Sequence, residues 1–501
     1  MILLGLSLAV FLVALDNAIL STAIPTITAD FNSIGDVGWY GSVYLLATCS
    51  FQPLTGKIYS QYSMKYTFLS FLFTFELGSL ICATAPNSKA LIVGRAIAGL
   101  GSSGLFSGAT NIMAVTMSLQ SRAAFMGGIS SMFGVATVIG PLIGGVLTQH
   151  ASWRWCFYIN LPCGFVTAVL LIFVFHPKLR KLAALTTIDK LQKLDILGCL
   201  FFVPPCIMLL LGIQWGGNNY PWKSGQVLGL IIGCIPLFCI FIAWEHHKGS
   251  DAMVPLGIIR QLTVATSCLT MFFQMGGALL MTYYLPIWFQ VVKDANPTAS
   301  GVMMLPTILA QVLLAIVCGA LLTKLGYYNP WVIAGAVLTA TGTGLMSTFT
   351  VSSTAGQWIG YQVIAGCGRG MLMQMPLIAV QAVLPVAQIP IGTALVIFCQ
   401  FFGGTLMVAL GQTAFMNILI SSLKTYAPGV DSQKIINAGA TADVRNLVSH
   451  ADIDGVLKAY NRALTGTFYV ALGVSCLAFV SGLGLEWKSV KAKKAPVASE
   501  P

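Results

Sequence analysis

What this chain has least of is charge. Only 8% of its 501 residues are Asp, Glu, Lys or Arg, against roughly 25% in soluble proteins, and this shortage excludes an ordinary soluble domain. Acids are scarcer than bases, leaving a formal net charge of +11. The 26 Lys and Arg residues are too thinly spread to build a basic face, so no nucleic acid partner is expected. Paired cysteine motifs are missing as well. The thirteen cysteines (Cys49, Cys82, Cys199, Cys318 and Cys476 among them) sit in or beside apolar runs without CxxC spacing. That pattern excludes a zinc site and a disulfide framework and leaves small apolar packing groups. No HExxH, no GxSxG elbow after a strand and no GxxxxGK[ST] loop is present. The glycine runs GLGSSG and GCGRGM lie inside apolar stretches of helix length and read as packing glycines. An enzyme, a metal and a cofactor are therefore not expected, and an ion gradient or simple diffusion is left as the energy source.

What is present is apolar length: 56% of the residues are hydrophobic. Runs of about 20 residues, enough to cross a bilayer, fall near 2–24, 38–56, 67–85, 91–116, 124–148, 155–175, 195–214, 225–244, 264–291, 301–322, 330–350, 357–384, 391–420 and 465–485. The first run has no basic n-region and no small-residue cleavage site, and it continues past Asp16 to about Pro25. It reads as a first transmembrane helix without a preceding polar tail, not as a signal peptide. The expectation is an all-α, polytopic membrane protein with fourteen spans in a six, two, six layout. Its parts are an N-terminal half at 1–175, a linker with two extra spans at 176–261, and a C-terminal half at 262–501 with a long loop at about 421–463.

One set of short loops carries Lys57, Lys65, Arg122, Lys178, Arg180, Lys181, Lys190, Lys193, Lys248, Arg260, Lys324 and the C-terminal lysines. The other carries only Lys89, Arg154, Lys223 and Lys293. The positive-inside rule then places both termini in the cytoplasm. An internal repeat supports two related halves: Ile97–Gly101 (IAGLG) in the fourth span returns as Ile364–Gly368 (IAGCG) in the twelfth. Gly56-Lys57-Ile58 has a counterpart in Gly319-Ala320-Leu321. Repeats related by an axis along the membrane normal are a transporter architecture.

Four charges cannot be placed in loops or at span ends: Asp16, Glu76, Arg95 and Arg369. A charge at the bilayer centre costs about 2.5–3.5 kcal/mol on insertion scales, so each should face protein or water. Asp16 suits either a titrating carboxylate, exposed to each side in turn, or a fixed ion pair. Glu76 suits packing or coupling equally. Arg95 either tunes the carboxylates or snorkels, and Arg369 either faces substrate or pins helices. In GVATVIGPLIGG (Gly134–Gly145), Ala136, Gly140 and Gly144 recur every fourth residue and form a smooth helical face. Pro141 removes a backbone donor, and Gly145 follows. The segment reads as a tight helix crossing or as a bend at a moving interface.

These residues resemble the major facilitator superfamily, in its branch of fourteen-span drug:proton antiporters of fungi. LDNAILSTAIP (Leu15–Pro25) resembles that branch's first-helix signature, LIVGRAIAGLGSSG its fourth-helix motif, GPLIGG its fifth-helix antiporter motif and WRWCFYINLP (Trp153–Pro162) the toxin-pump members. The resemblance implies alternating access between two six-helix halves, with Asp16 carrying protons, Arg95 tuning it and Glu76 a further coupling candidate. Gly140, Pro141, Gly144 and Gly145 would supply the hinge or packing face. The family's loop between the second and third helices, roughly GxLaDrxGRK, is degraded here to GKIYSQYSMK. Ser60 replaces its Asp, so the charge latch is in doubt, while Gly56, Lys57, Lys65 and Arg122 remain as a cytoplasmic gate loop. The tenth and thirteenth spans carry no acid, and Gln274, Tyr283, Gln374 and Gln400 are the candidate cavity residues. Such a lining suits a neutral or weakly acidic amphipathic molecule. The implied function is proton-coupled efflux of a small organic molecule, a fungal secondary metabolite, toxin or drug. An importer of the same fold is the alternative, and a non-transport membrane protein a remoter one. The implied partners are that small molecule, protons and the lipid bilayer, with a monomeric chain in the cell membrane or an internal one.

Overall fold

The computed structural model describes residues 2–31, 33, 36–117, 119–175, 194–217, 220–430, 448 and 452–490. The basic loop at 176–193, most of 431–451 and the lysines beyond 490 lie outside the described residues. Those described are nearly all helical, and no strand forms among them. The long helices are α1 (Ile2–Phe31), α2 (Val37–Gln61), α3 (Met64–Ala83), α4 (Ser88–Thr116), α5 (Leu119–His150), α6 (Asn160–Val174, led in by the turn Trp155–Tyr158), α7 (Ile196–Trp215), α8 (Gly225–Lys248), α9 (Leu262–Val291), α10 (Leu305–Leu325), α11 (Asn329–Met346), α12 (Ala355–Leu372, resuming as Met375–Val383), α13 (Ile389–Tyr426) and α14 (Ile453–Leu483). Among the described residues, eleven are long and apolar enough to cross a membrane. The chain is therefore a multi-pass membrane protein. The helices outside that set are α2, α5 and α11. α11 opens on Asn329-Pro330-Trp331 and carries three threonines, which lower its hydropathy; a Cβ at its Gly335 would lie 2.8 Å from the Gly368 carbonyl oxygen.

The expected loop at about 421–463 is shorter in the structure, because α13 continues to Tyr426 and α14 already begins at Ile453. α13 has 38 residues and so runs about 57 Å at 1.5 Å per residue, well past a hydrocarbon core of about 30 Å.

Helices α1–α6 pack together, as do α9–α14, and the glycine repeat is visible in how they do so. A Cβ at Gly78 (α3) would fall 2.8 Å from Ala98 Cβ (α4); one at Gly342 (α11) would fall 2.8 Å from Ala365 Cβ (α12). Gly99 meets Ala47 Cβ at 3.0 Å, and Gly366 meets Ala310 Cβ at 3.0 Å. The small residues let backbones approach to the same depth in both groups.

The two groups touch through α5 against α10 and α2 against α13. Gly127 sits 2.6 Å, at its would-be Cβ, from the Ala315 carbonyl, and Gly134 lies 3.1 Å from Ile308 Cγ2. Gly56 receives Ala394 (2.6 Å to its Cβ) and the Pro390 carbonyl (2.8 Å). The insert α7–α8 is fastened beside them. Leu210 packs with Leu46 and Cys49, and Phe202 meets Phe398 edge-on at 5.3 Å between ring centroids.

Candidate functional site

The site is built where α4 comes close to α2 and α3. Asn87 caps α4, accepting from the Ala90 N–H at 2.9 Å, which satisfies one of the free donors of a helix start. Gly94 and Gly99 then remove the side chains that would hold the neighbours away. Arg95, carried between them, reaches Asp16 of α1: its Nη1 donates to Asp16 Oδ2, and both side chains are fully buried. Arg95 Nε donates to the Tyr40 carbonyl of α2 at 2.9 Å, and the guanidinium lies over the Tyr44 ring, 4.3 Å from its centroid. Asp16 Oδ1 accepts from Asn160 Nδ2 at 3.1 Å, and that same Nδ2 lies 3.1 Å from Ser79 Oγ of α3. One ion pair thereby links α1, α2, α3, α4 and α6. Arg95 Nη2 and Asn160 Oδ1 are buried without a partner among the described residues. The pair is tightly enclosed but not saturated.

Glu76 lies one turn before Ser79 on α3, its carboxyl pressed against Gly164 of α6, one turn after Asn160. Both of its oxygens are buried without a hydrogen-bond partner among the described residues. Arg369 is 4% exposed on α12, and its Nε also lacks a partner there.

The small-residue stripe of α5 lies on α1. Ala136 packs with Ala14 and Leu15. A Cβ at Gly140 would fall 2.5 Å from Ala18 Cβ, and one at Gly144 would fall 2.8 Å from the Ile19 carbonyl. The stripe is thus a seam inside the first six-helix group, on the residues of α1 that flank Asp16, and the contact between groups uses Gly127 and Gly134 instead. α5 runs through position 141 as one helix; the side chain of Pro141 lies outside the described residues. Gly145 does not share the packed face: no heavy atom lies within 4 Å of its would-be Cβ.

The residues expected in a gate loop are on helices, because α2 extends to Gln61 and α3 starts at Met64. Gly56 and Lys57 end α2, Lys65 begins α3 and Arg122 begins α5. All three cations meet backbone carbonyls at segment ends, where partial negative charge collects. Lys57 Nζ donates to Asp251 O (3.0 Å) and Ala252 O (2.7 Å), and Lys65 Nζ to Ile172 O (2.6 Å). Arg122 holds the end of α4 through the Ala114 carbonyl and Met117 O (3.1 Å). It also crosses to the other group, donating to Gln381 Oε1 at 3.2 Å.

The four cavity candidates differ in burial and in partners. Gln400, buried on α13, meets Met275 Sδ of α9 through Nε2 at 3.9 Å, and its Oε1 has no partner among the described residues. Gln274 is buried on the stripe of α9 that packs on α14, where Gly277 meets Ser475. Gln374 is buried in the break between Leu372 and Met375, and Tyr283 is 54% exposed. Sequence reasoning passed over Asn160, Gln362 and Gln381. Their signal was amides inside apolar runs, with nothing local to name a partner.

Comparison with known proteins agrees with this architecture. The family model described as Major Facilitator Superfamily matches residues 6–408. The chain is 47% identical over 491 residues to the MFS-type efflux pump MFS1 of Arthroderma benhamiae, covering 98% of this chain and 91% of that protein. It is 45% identical over 496 residues to the efflux pump aflT of Aspergillus parasiticus, covering 99% and 96%. Among solved structures, a double-tryptophan mutant of XylE superposes with a TM-score of 0.61 at 12% identity, covering 98% of this chain and 96% of that one. The human organic anion transporter MFSD10 superposes at 0.57 and 14% identity, covering 95% and 97%; at such identities the likeness is one of fold. Paired glycine ladders, full-length kinship with fungal pumps and a family match across both helix groups lead to one assignment: the chain belongs to the major facilitator superfamily.

Proposed function

We propose that this protein is a proton-coupled antiporter that exports a small amphipathic organic molecule, a fungal secondary metabolite, toxin or drug, by alternating access. The observation that carries the reading is the Asp16–Arg95 pair, fully buried yet joined to five helices. A buried pair of this kind holds the helices only while both partners stay together, and parting it leaves each uncompensated. Protonation of Asp16 would free Arg95, and reionisation would draw α1 and α4 together again. Coupling of this kind needs a two-state element, and the five-helix junction supplies it. Glu76, without a hydrogen-bond donor at either oxygen among the described residues, is the neighbouring group able to hold a proton. The seam of Gly140 and Gly144 on α1 is the packing that transmits the movement.

The closed end of the bundle, where Gly56 meets α13 and Arg122 meets Gln381, is read as cytoplasmic, with both termini on that side. α2, α5 and α11 complete fourteen spans with the eleven apolar ones, α7 and α8 forming the insert between two six-helix halves. Export rather than import follows the printed names of the relatives, which are efflux pumps. One proton returning down its gradient supplies about 2.3 kcal/mol per 100 mV and about 1.4 kcal/mol per pH unit. That sum sustains roughly a several-hundredfold substrate gradient. The test is transport by the purified chain in proteoliposomes under an imposed pH gradient, comparing the natural protein with Asp16→Asn.

A further inference from the structure

The second six-helix group carries a buried cation that proton coupling at Asp16 does not use. Arg369 stands midway along α12 (Ala355–Val383) and is 4% exposed. Its small neighbours fix where it points. Gly366 and Gly370 receive α10: their would-be Cβ atoms lie 3.0 Å from Ala310 Cβ and 3.0 Å from Ala315 N. Gly368 and Ala365 receive α11, at Thr339 and Gly342. Arg369 falls between these two stripes. It stands two turns after the fully buried Gln362 and shares its face, which turns into the group.

The guanidinium has no counter-charge. It makes no hydrogen bond and no ion pair among the described residues. Its Nε is enclosed without a partner, whereas the Nη groups at the tip are not shut in. α9 through α14 hold no acid deeper than Asp454, in the first turn of α14. In the first group Arg95 has Asp16; Arg369 has nothing of the kind. An arginine cannot shed its charge in a protein, and a buried charge left uncompensated is destabilising. Its planar fork of N–H donors matches a carboxylate. One turn further on, Gln311 Nε2 of α10 is spent on the Met373 sulfur at 3.5 Å, a weak acceptor that an oxyanion would displace.

We propose that Arg369 binds the acidic group of the exported molecule, which makes the cargo an organic anion, a carboxylate on an apolar frame. The proposal rests on the export reading and narrows it. The cargo supplies the negative charge that no helix of this group supplies, and the same arginine turns cationic amphiphiles away.

The test is thermal unfolding of the purified full-length chain in uncharged detergent, with no gradient present, so its outcome is independent of proton coupling. The probes are naphthalene-1-acetate, diclofenac and dodecanoate, each beside its methyl ester, with 2-(1-naphthyl)ethylamine, chloride and phosphate as controls. Bound ligand stabilises the fold according to its affinity, and the natural chain should bind the acids at least about tenfold more tightly than their esters. Arg369→Met should lose that preference, and Arg369→Lys, which keeps the charge without the fork, should retain part of it. Ligand-free Arg369→Met should also melt at least about 2 °C above the natural chain, because an unpaired buried charge is gone. A natural chain that prefers none of the acids to its ester would overturn the proposal. Failure of Arg369→Met to fold, or a lower melting temperature, would overturn it too, giving Arg369 a helix-pinning role. Stabilisation by chloride or phosphate as large as by the acids would assign the arginine to an inorganic ion instead. Proton-driven efflux without any acid preference would leave the export reading standing and remove Arg369 from it.

Discussion

Arg95 and Gln362 occupy the same place in the two six-helix groups, each two residues before the repeated IAG motif. Arg95 Nε donates to the Tyr40 carbonyl at 2.9 Å, and Gln362 Nε2 donates to the Met303 carbonyl at 3.0 Å. Beside Arg95 lies the Tyr44 ring; beside Gln362 lies Thr307, whose Oγ1 is 2.8 Å from the amide oxygen. One scaffold therefore exists in a charged and a neutral version. The neutral version joins its helices through amide and hydroxyl hydrogen bonds, and the contrast frames the test of what Asp16–Arg95 adds.

The first prediction follows from that contrast. Asp16→Asn should abolish proton-driven efflux and, by leaving Arg95 buried beside an amide, lower stability by about 3–5 kcal/mol. Adding Arg95→Gln, which copies Gln362, should recover most of the stability and none of the coupling. Thermal unfolding and transport by the single and double variants check the two halves of the statement separately.

A second prediction concerns the seam between α5 and α1. Gly144→Leu drives a side chain into Thr22 and the Ile19 carbonyl, an overpacking that typically costs about 1–3 kcal/mol, and it should stop turnover by forcing α1, and Asp16 with it, off α5. Gly145→Leu faces open space and should transport normally. Equal transport by both variants would show that the seam has no part in turnover.

The third prediction is about the closed end. Gln381→Leu removes the bond from Arg122 across the two groups while leaving Arg122 its carbonyls on α4. A hydrogen bond to a charged group contributes about 1.5–3 kcal/mol, so the population open at this end should rise by at least about tenfold. Spin labels at the exposed positions Tyr66 and Val386, read by pulsed dipolar spectroscopy, should show the longer distance gaining weight. Unchanged distance distributions would mean that other contacts hold this end shut.

Much of this was legible in the sequence, and the reason is local. Apolar runs of bilayer length and glycines at helical spacing are patterns within one segment, so the helices and the repeat could be read directly. Asp16 and Arg95 stood out because charge is costly in such runs, but their pairing is a contact between α1 and α4 that no spacing encodes. The spacing of Gly140 and Gly144 is a pattern within one segment; that they lie against α1 depends on the whole arrangement of helices. Gln274 and Tyr283 show the limit in another way. They share α9, yet one is buried and the other is exposed, a difference set by helix rotation and not by residue type.

The most direct test is concentrative efflux of a substrate by the purified chain in sealed liposomes, measured with the pH gradient and membrane potential imposed and again after a protonophore collapses both. The account predicts that substrate accumulates against its gradient only while the proton gradient stands, and that its movement carries protons the opposite way. Equal accumulation after collapse would contradict it.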